Sequence, residues 1–315
     1  MKNIKKRKVL IIKTGYTEIL EQVQSNTTIV SLGDIFRTTA ILHLFKNDEV
    51  TWLVDEKGIP LLKKNPYINR ILIYNLNAVL QLQHENYDIV INLEKNNGIC
   101  ALSDSIKAWQ RYGFRFDPVS GETEAYEKSY EALYISNNPN IKRTSGKHWL
   151  QILYEMLGRE WKNQNYILGY KPRSKVTYDI GFNIHVGSKW PNKAWSLENW
   201  KKLESMIRDK YSYIYQQHLD NIEKYVDWIN SCRMIITNDS LALHLAIFLG
   251  KKIIVLFGPT YDESHSAPGL VKLEPRLTLK CRPCMRGTCK YPKKCIDHIT
   301  PELVYNNINR LFRKK

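Results

Sequence analysis

Residues 235–260 read IITNDSLALHLAIFLGKKIIVLFGPT, and this stretch decides the fold. Residues 234–237 are a short apolar run, as in a buried strand. Asn238, Asp239 and Ser240 follow, and all three are helix-capping residue types. Residues 241–249 are apolar on nearly every side, which predicts a buried helix, and Gly250 ends it. Lys251 and Lys252 lead into a second strand at 253–257, closed by Gly258-Pro259. A strand–helix–strand unit of this kind implies two parallel strands. A helix start at the carboxyl end of a parallel strand is a natural anion site. Its unpaired N–H groups and its dipole both favour a phosphate. His244 is the one polar residue within the helix. It reads either as a core histidine bonded to a carbonyl or, with Asp239 and Ser240, as part of a phosphate site.

Outward from this unit the alternation continues in both directions. Residues 8–13 (KVLIIK) predict a first strand, and the polar stretch 14–30 an inserted loop. Ser31-Leu32-Gly33-Asp34 opens a helix that runs to residue 45. Strands are expected at 49–54, 70–74 and 87–93, with helices at 59–65 and 79–85 between them. From 96 to 140 the pattern weakens into loops and short pieces over the carboxyl ends of the first sheet, and 148–157 is helical. Residues 170–175, with Pro172, form a linker. A second alternating unit then runs from a strand at 180–184 through a Trp-rich loop to a helix at 197–207 capped by Ser196. A strand at 212–215 and a helix at 222–231 precede the stretch quoted above, and a helix at 303–312 closes the chain. The fold class is α/β, with open parallel sheets and helices on both faces.

The 315 residues are 43% apolar, with 19 Tyr and 8 Trp, ample material for one or two cores. No apolar run approaches the roughly 20 residues that cross a bilayer. The basic start MKNIKKRKVLIIK lacks the apolar length and cleavage site of a signal peptide, so a cytoplasmic protein is expected. The formal charge of +16 favours an anionic substrate or an anionic membrane surface as partner. No RNA-binding signature accompanies it, which ranks nucleic acid lower.

Cys281, Cys284, Cys289 and Cys295 fall within fifteen residues, while Cys100 and Cys232 stand alone in apolar surroundings. In a cytosolic chain such a cluster points to metal before disulfide. The spacing suits one tetrahedral thiolate site for structural zinc, or for iron, with no open position for catalysis. Flanking Lys and Arg residues offset its charge. Two disulfides or free thiols are the competing reading. The metal loop is expected to fold on binding, independently of the phosphate site.

Three motifs, SLGDIFRTT (31–39), WPNKAWSLENW (190–200) and NDSLALHLA…FGPT (238–260), occur in this order. In them the chain resembles glycosyltransferase family 9, the ADP-heptose heptosyltransferases of lipopolysaccharide synthesis. The likeness runs over most of the chain. It implies a GT-B fold, two Rossmann-like domains with parallel sheets facing across a cleft. Residues 1–170 would form the acceptor-side domain and 171–300 the nucleotide-sugar-binding domain with the four-cysteine loop 281–295. Residues 301–315 would form a helix crossing back to the first domain. The family's catalytic base maps to Asp34, its loop lysine to Lys193, and its D-x4-H pair to Asp239 and His244. Some bacterial protein heptosyltransferases resembling this family carry an iron site on four cysteines. The chain departs from the pattern where 14–30 intervenes, and where 215–231 is short in place of a glycine-rich turn that contacts the nucleoside. ADP, GDP and UDP all remain open.

Glycosyl transfer requires a base on the acceptor hydroxyl and positive groups on the departing diphosphate. Asp34 supplies the first; the alternative for it is an ordinary first-turn helix carboxylate. Lys193, with Lys189 on the same loop and Ser240, Leu241, Asp239 and His244 at the helix start, supplies the second. The alternative for Lys193 is a solvated lysine beside packed tryptophans. GT-B enzymes use such groups in place of a catalytic divalent ion, and no Asp-x-Asp pair occurs. The expected function is an inverting glycosyltransferase moving a heptose or related sugar from a nucleotide sugar to a glycan, lipid-linked or protein acceptor. The competing class is a non-catalytic nucleotide-sugar or nucleic-acid binding protein on the same scaffold.

Overall fold

The alternating apolar runs form two separate sheets. The computed structural model describes residues 6–16, 29–188, 190–217, 220–260, 267–277 and 279–313. The chain divides into two compact units, 1–170 and 171–315.

In the first unit the chain runs β1 (Lys8–Ile12), α1 (Leu32–Thr38), β2 (Glu49–Val54), α2 (Ile59–Leu62), β3 (Arg70–Ile73) and α3 (Leu76–Gln83). It continues through β4 (Asn86–Asn92), α4 (Asn97–Ser105), β5 (Lys107–Phe116) and β6 (Thr123–Ala125). Three helices close the unit: α5 (Tyr130–Asn137), α6 (Pro139–Thr144) and α7 (Trp149–Met156). The strand order is β3-β2-β1-β4-β5-β6. All neighbours are parallel except β5 and β6. β1 is central, with Ile11 level with Trp52 on one side and Ile91 on the other, and Val9–Ile12 have no solvent exposure. Burial on both faces explains its unbroken apolar run.

The expected inserted loop falls mostly at 17–28, outside the described residues. The helix expected to reach residue 45 is α-helical only to Thr38 and becomes a 3-10 helix over Thr39–Leu44. Thr38 and Thr39 donate their hydroxyls back to the carbonyls of Asp34 and Phe36, a side-chain competition that loosens helices. The helix expected at 59–65 stops at Leu62, because Pro66 disfavours helical backbone before it. The largest correction is at 96–140. What read as loops contains α4, the ten-residue strand β5 and its antiparallel partner β6. β5 is buried only at Tyr112–Phe114, so its apolar alternation is faint. Gly113 there has φ +91°, and a Cβ would lie 1.8 Å from the Asn92 carbonyl oxygen.

The second unit runs β7 (Tyr178–Asn183), α8 (Leu197–Ile207), β8 (Tyr213–Tyr215), α9 (Ile222–Asn230) and β9 (Cys232–Asn238). It then runs α10 (Leu241–Phe248), β10 (Lys252–Leu256), β11 (Leu270–Leu273) and α11 (Pro301–Arg313). Its sheet, β11-β10-β9-β7-β8, is parallel throughout. Ser196 and Asn221 cap α8 and α9 by accepting the N–H groups of Asn199 and Lys224. Phe182, Trp195, Trp200, Met234 and Ile236 form the core, joined by Val304, Ile308 and Leu311 from α11. The strand β11 was not anticipated from sequence: it is only four residues long, three of them partly exposed. Among the described residues no helix is long and apolar enough to cross a membrane.

Each sheet has one point where successive connections depart in opposite directions. In the first it lies between β1 and β4, in the second between β7 and β9. Open parallel sheets bind ligands at the carboxyl ends of the strands flanking such a point.

Candidate active site

Five of the residues picked out by the motifs, Lys193, Asp239, Ser240, Leu241 and His244, gather at the second of these points. β9 ends at Asn238, and α10 begins at Leu241 with Ser240 in the N-cap position. Asp239 stands between them. Its Oδ2 accepts from the Lys193 ammonium at 2.7 Å and from the Thr260 hydroxyl at 2.9 Å. Lys193 comes from the short 3-10 turn Pro191–Lys193, and its Nζ lies 4.7 Å from the centre of the Trp190 ring. Both charged side chains are mostly buried. Burial pushes the Asp239 carboxyl up, but the charge and hydrogen bond of Lys193, with His244 and Thr260, more than offset it and hold it below its usual value. His244 is buried one turn into α10 and acts on Asp239 electrostatically. The structure thus brings Lys193, Asp239, Ser240, Leu241 and His244 together. Lys189 lies outside the described residues.

Ser240 behaves differently from the capping role its residue type suggests. Its hydroxyl does not cap α10. It lies 3.2 Å from the Thr237 hydroxyl and accepts from the Asn183 side chain at 3.1 Å. Asn183, at the end of β7, is fully buried. Its amide also donates to Thr237 at 2.9 Å, and its carbonyl accepts from Tyr225 at 2.6 Å. The same amide nitrogen donates to the His185 backbone carbonyl at 3.3 Å, an acceptor only, and this fixes which way the amide faces. Ser240 is therefore turned away from the helix by a buried network beneath it. Asn183 carries no motif of its own and was missed from sequence. Thr260 was visible as the last residue of FGPT, but its partner was not.

The cysteine loop braces this site. The Arg282 guanidinium donates to the Gly258 carbonyl at 2.8 Å, and the Met285 N–H to Pro259 at 3.0 Å. On the other side the Asn192 N–H donates to the Gly287 carbonyl at 2.9 Å, and its side chain to Arg286 and Thr288. Lys294 donates to the Ala194 carbonyl. The segments that carry Lys193 and Thr260 are both anchored on residues 282–294. The loop is thus hydrogen-bonded to the segments that flank the candidate phosphate site. The four cysteines form no disulfide in the structure, and Cys295 is buried. Burial first, then the nearby Cys284 and Cys289, push its thiol up to about 11. Among the described residues no three His, Cys, Asp or Glu side chains are gathered closely enough to hold a metal ion. The structure does not show the expected zinc or iron site, although Cys284 and Cys289 lie near enough to Cys295 to act on its thiol.

Asp34 lies in the first unit, in the first turn of α1, where the carboxylate pairs with Arg37 at 2.8 Å. The Arg37 guanidinium rests 5.9 Å from the centre of the Trp149 ring. The carboxylate is oriented by a partner one turn on, rather than pointing freely into solvent.

Residues 220–295 match the family described as glycosyltransferase family 9 (heptosyltransferase), a span from α9 to the end of the cysteine loop. Lipopolysaccharide heptosyltransferase 1 of Campylobacter coli is 25% identical over 283 residues, covering 73% of this chain and 82% of the relative. Two solved structures share the fold. Escherichia coli heptosyltransferase WaaC with ADP-2-deoxy-2-fluoro heptose aligns at TM-score 0.58 and 15% identity, covering 96% of this chain and 99% of that one. The bacterial iron-containing dodecameric glycosyltransferase TibC of enterotoxigenic E. coli aligns at 0.59 and 11%, covering 98% and 76%. Over the matched span and the aligned relative this chain is similar to family 9 glycosyltransferases, and its two parallel-sheet units share the fold of the two solved structures.

Proposed function

We propose that the chain transfers a heptose or related sugar from an ADP-type nucleotide sugar to a hydroxyl of a cell-surface glycan, with inversion at the anomeric carbon. The observation that carries this reading is the Lys193–Asp239–Thr260 constellation at the start of α10. An incoming diphosphate meets the first N–H groups of α10, at Ser240 and Leu241, and the Lys193 ammonium. These are positive groups aimed where negative charge grows as the sugar–phosphate bond breaks. Asp239 and His244 hold that lysine and the helix start in place. In the same step the acceptor oxygen bonds to the anomeric carbon, the bond from that carbon to the diphosphate oxygen breaks, and the acceptor proton passes to Asp34. Arg37 keeps the Asp34 carboxylate oriented for it. A relative named as a lipopolysaccharide heptosyltransferase and a neighbour solved with an ADP-heptose analogue support the choice of donor. A non-catalytic binding protein is not favoured by these matches.

Two further parts belong to this reading. Cys281, Cys284, Cys289 and Cys295 hold one structural zinc or iron ion. Their spacing, the proximity of Cys284 and Cys289 to Cys295, and an iron-containing neighbour support it. No catalytic step passes through the ion. The protein works at the cytoplasmic face of a membrane, where its +16 charge attracts anionic headgroups.

The test is a panel of ADP-, GDP- and UDP-sugars scored by thermal shift and by donor hydrolysis, with Asp34→Asn beside the parent. An ADP-sugar should raise the melting temperature of both, and turnover should fall by several orders of magnitude in the variant. Stabilisation by none of the panel, or full turnover in Asp34→Asn, would remove the reading. Elemental analysis of reduced protein should find about one zinc or iron per chain by the tetrathiolate stoichiometry.

A further inference from the structure

The switch point of the first unit, between β1 and β4, holds a buried charge with an unusual pattern of partners. Glu94, just beyond β4, has no solvent exposure. Its Oε1 accepts from the Gly15 N–H at 2.7 Å and from the Thr14 hydroxyl at 3.1 Å, and the Lys13 ammonium stands 3.6 Å away. Its Oε2 is buried with no hydrogen-bond partner among the described residues. The hydrogen bonds that the carboxylate accepts thus converge on one turn at the end of β1.

That turn carries the constraint onward. The Gly15 carbonyl accepts the N–H of Ser31 at 2.8 Å, and the Ser31 carbonyl accepts the N–H of Ile35 at 3.2 Å. Ser31 is the N-cap position of α1, yet its side chain makes no capping bond. The start of the helix is therefore tied through main chain to Gly15. Gly15 has φ +96°, a left-handed conformation, and a Cβ there would stand 2.8 Å from Ile35 and Val30. The path Glu94–Gly15–Ser31 ends in the turn that bears Asp34.

We infer that Glu94 is the positioning residue for Asp34: it holds the β1 turn that seats the first turn of α1, and so fixes where the base stands. The inference rests on the reading of Asp34 as the base. A buried carboxylate is retained only where its partners offset its desolvation, and here those partners are the atoms of that turn. Displacing a reacting group by about 1 Å costs on the order of 10²-fold in rate.

The experiment compares kcat, KM and ADP affinity in the full chain. In Glu94→Ala, kcat should fall about 100-fold while ADP binding stays within about two-fold. Glu94→Gln should recover most of the lost turnover, because the amide oxygen still accepts from Gly15 and Thr14. If Glu94→Ala does not fold, Lys13→Met/Glu94→Leu replaces the buried pair with apolar groups of similar size, a change that proteins often tolerate. It should show the same loss of kcat with intact ADP binding. Turnover within about three-fold of the parent in Glu94→Ala or the double variant would overturn the inference, and so would Glu94→Gln as impaired as Glu94→Ala. Asp34→Asn in the same assay separates the two ideas. Full turnover there removes the base itself. Loss there with the Glu94 variants active removes only the positioning role.

Discussion

Asp239→Asn tests the central ion pair of the candidate site through stability. The substitution keeps the shape of the side chain and leaves an oxygen for the Thr260 hydroxyl, but removes the charge that faces Lys193 at 2.7 Å. The relative exposure of the two side chains is 14% and 18%, so Lys193 would become a largely buried cation without its counter-charge. Removing one partner of a fully buried pair costs about 3–5 kcal/mol; discounted for the remaining solvent contact, about 2–3 kcal/mol is expected here. For a unit of this size that lowers the melting temperature by about 5–10 °C. The pH dependence carries the sharper test. The folded Asp239 carboxyl lies below its usual value because of Lys193, His244 and Thr260. Its contribution is therefore complete above the unfolded value of about 3.9 and is lost as pH falls through the lower folded value. Melting temperatures of parent and variant, followed by calorimetry from neutral pH downward, should differ by a constant amount and then converge in acid. A gap that persists unchanged to the lowest pH at which the parent folds, or no gap at neutral pH, would refute the assignment of a stabilising Lys193–Asp239 pair.

Asn183→Ala should weaken ADP binding about ten-fold, because a freed Ser240 hydroxyl can cap α10 and compete with the diphosphate for its N–H groups. Adding Ser240→Ala should restore most of the affinity, and titration calorimetry on the two variants decides it. Gly113→Ala should prevent the β4–β5 pairing, since the new Cβ would overlap the Asn92 carbonyl, and circular dichroism should show loss of the folded first unit. In metal-free protein at pH 8, iodoacetamide should label Cys281, Cys284 and Cys289 before Cys295, whose thiol near 11 is only about one part in a thousand thiolate; mass spectrometry gives the order.

Much of the fold was legible because parallel strands buried on both faces read as unbroken apolar runs and their helices begin with capping residues. β1 and β9 are strands of this kind, and α8 and α9 are such helices, whereas α10 was legible from its apolar run. β5, β6 and β11 were not, since each is short or half-exposed and its pairing is decided by neighbours far away in the chain. The choice of candidate site residues came from the sequence. The side chains Asp34, Lys193, Asp239 and His244 sit in motifs that resemble those of family 9, and that resemblance implies transfer from a nucleotide sugar. Their partners did not. That Lys193 meets Asp239 and Thr260, that Asn183 turns Ser240 off its helix, and that Glu94 ties β1 to α1 depend on strands that become neighbours only when the sheets close. Residue type and local spacing follow from the chain itself. Hydrogen-bond partners dozens of residues apart follow from sheet order, which packing of the whole unit decides.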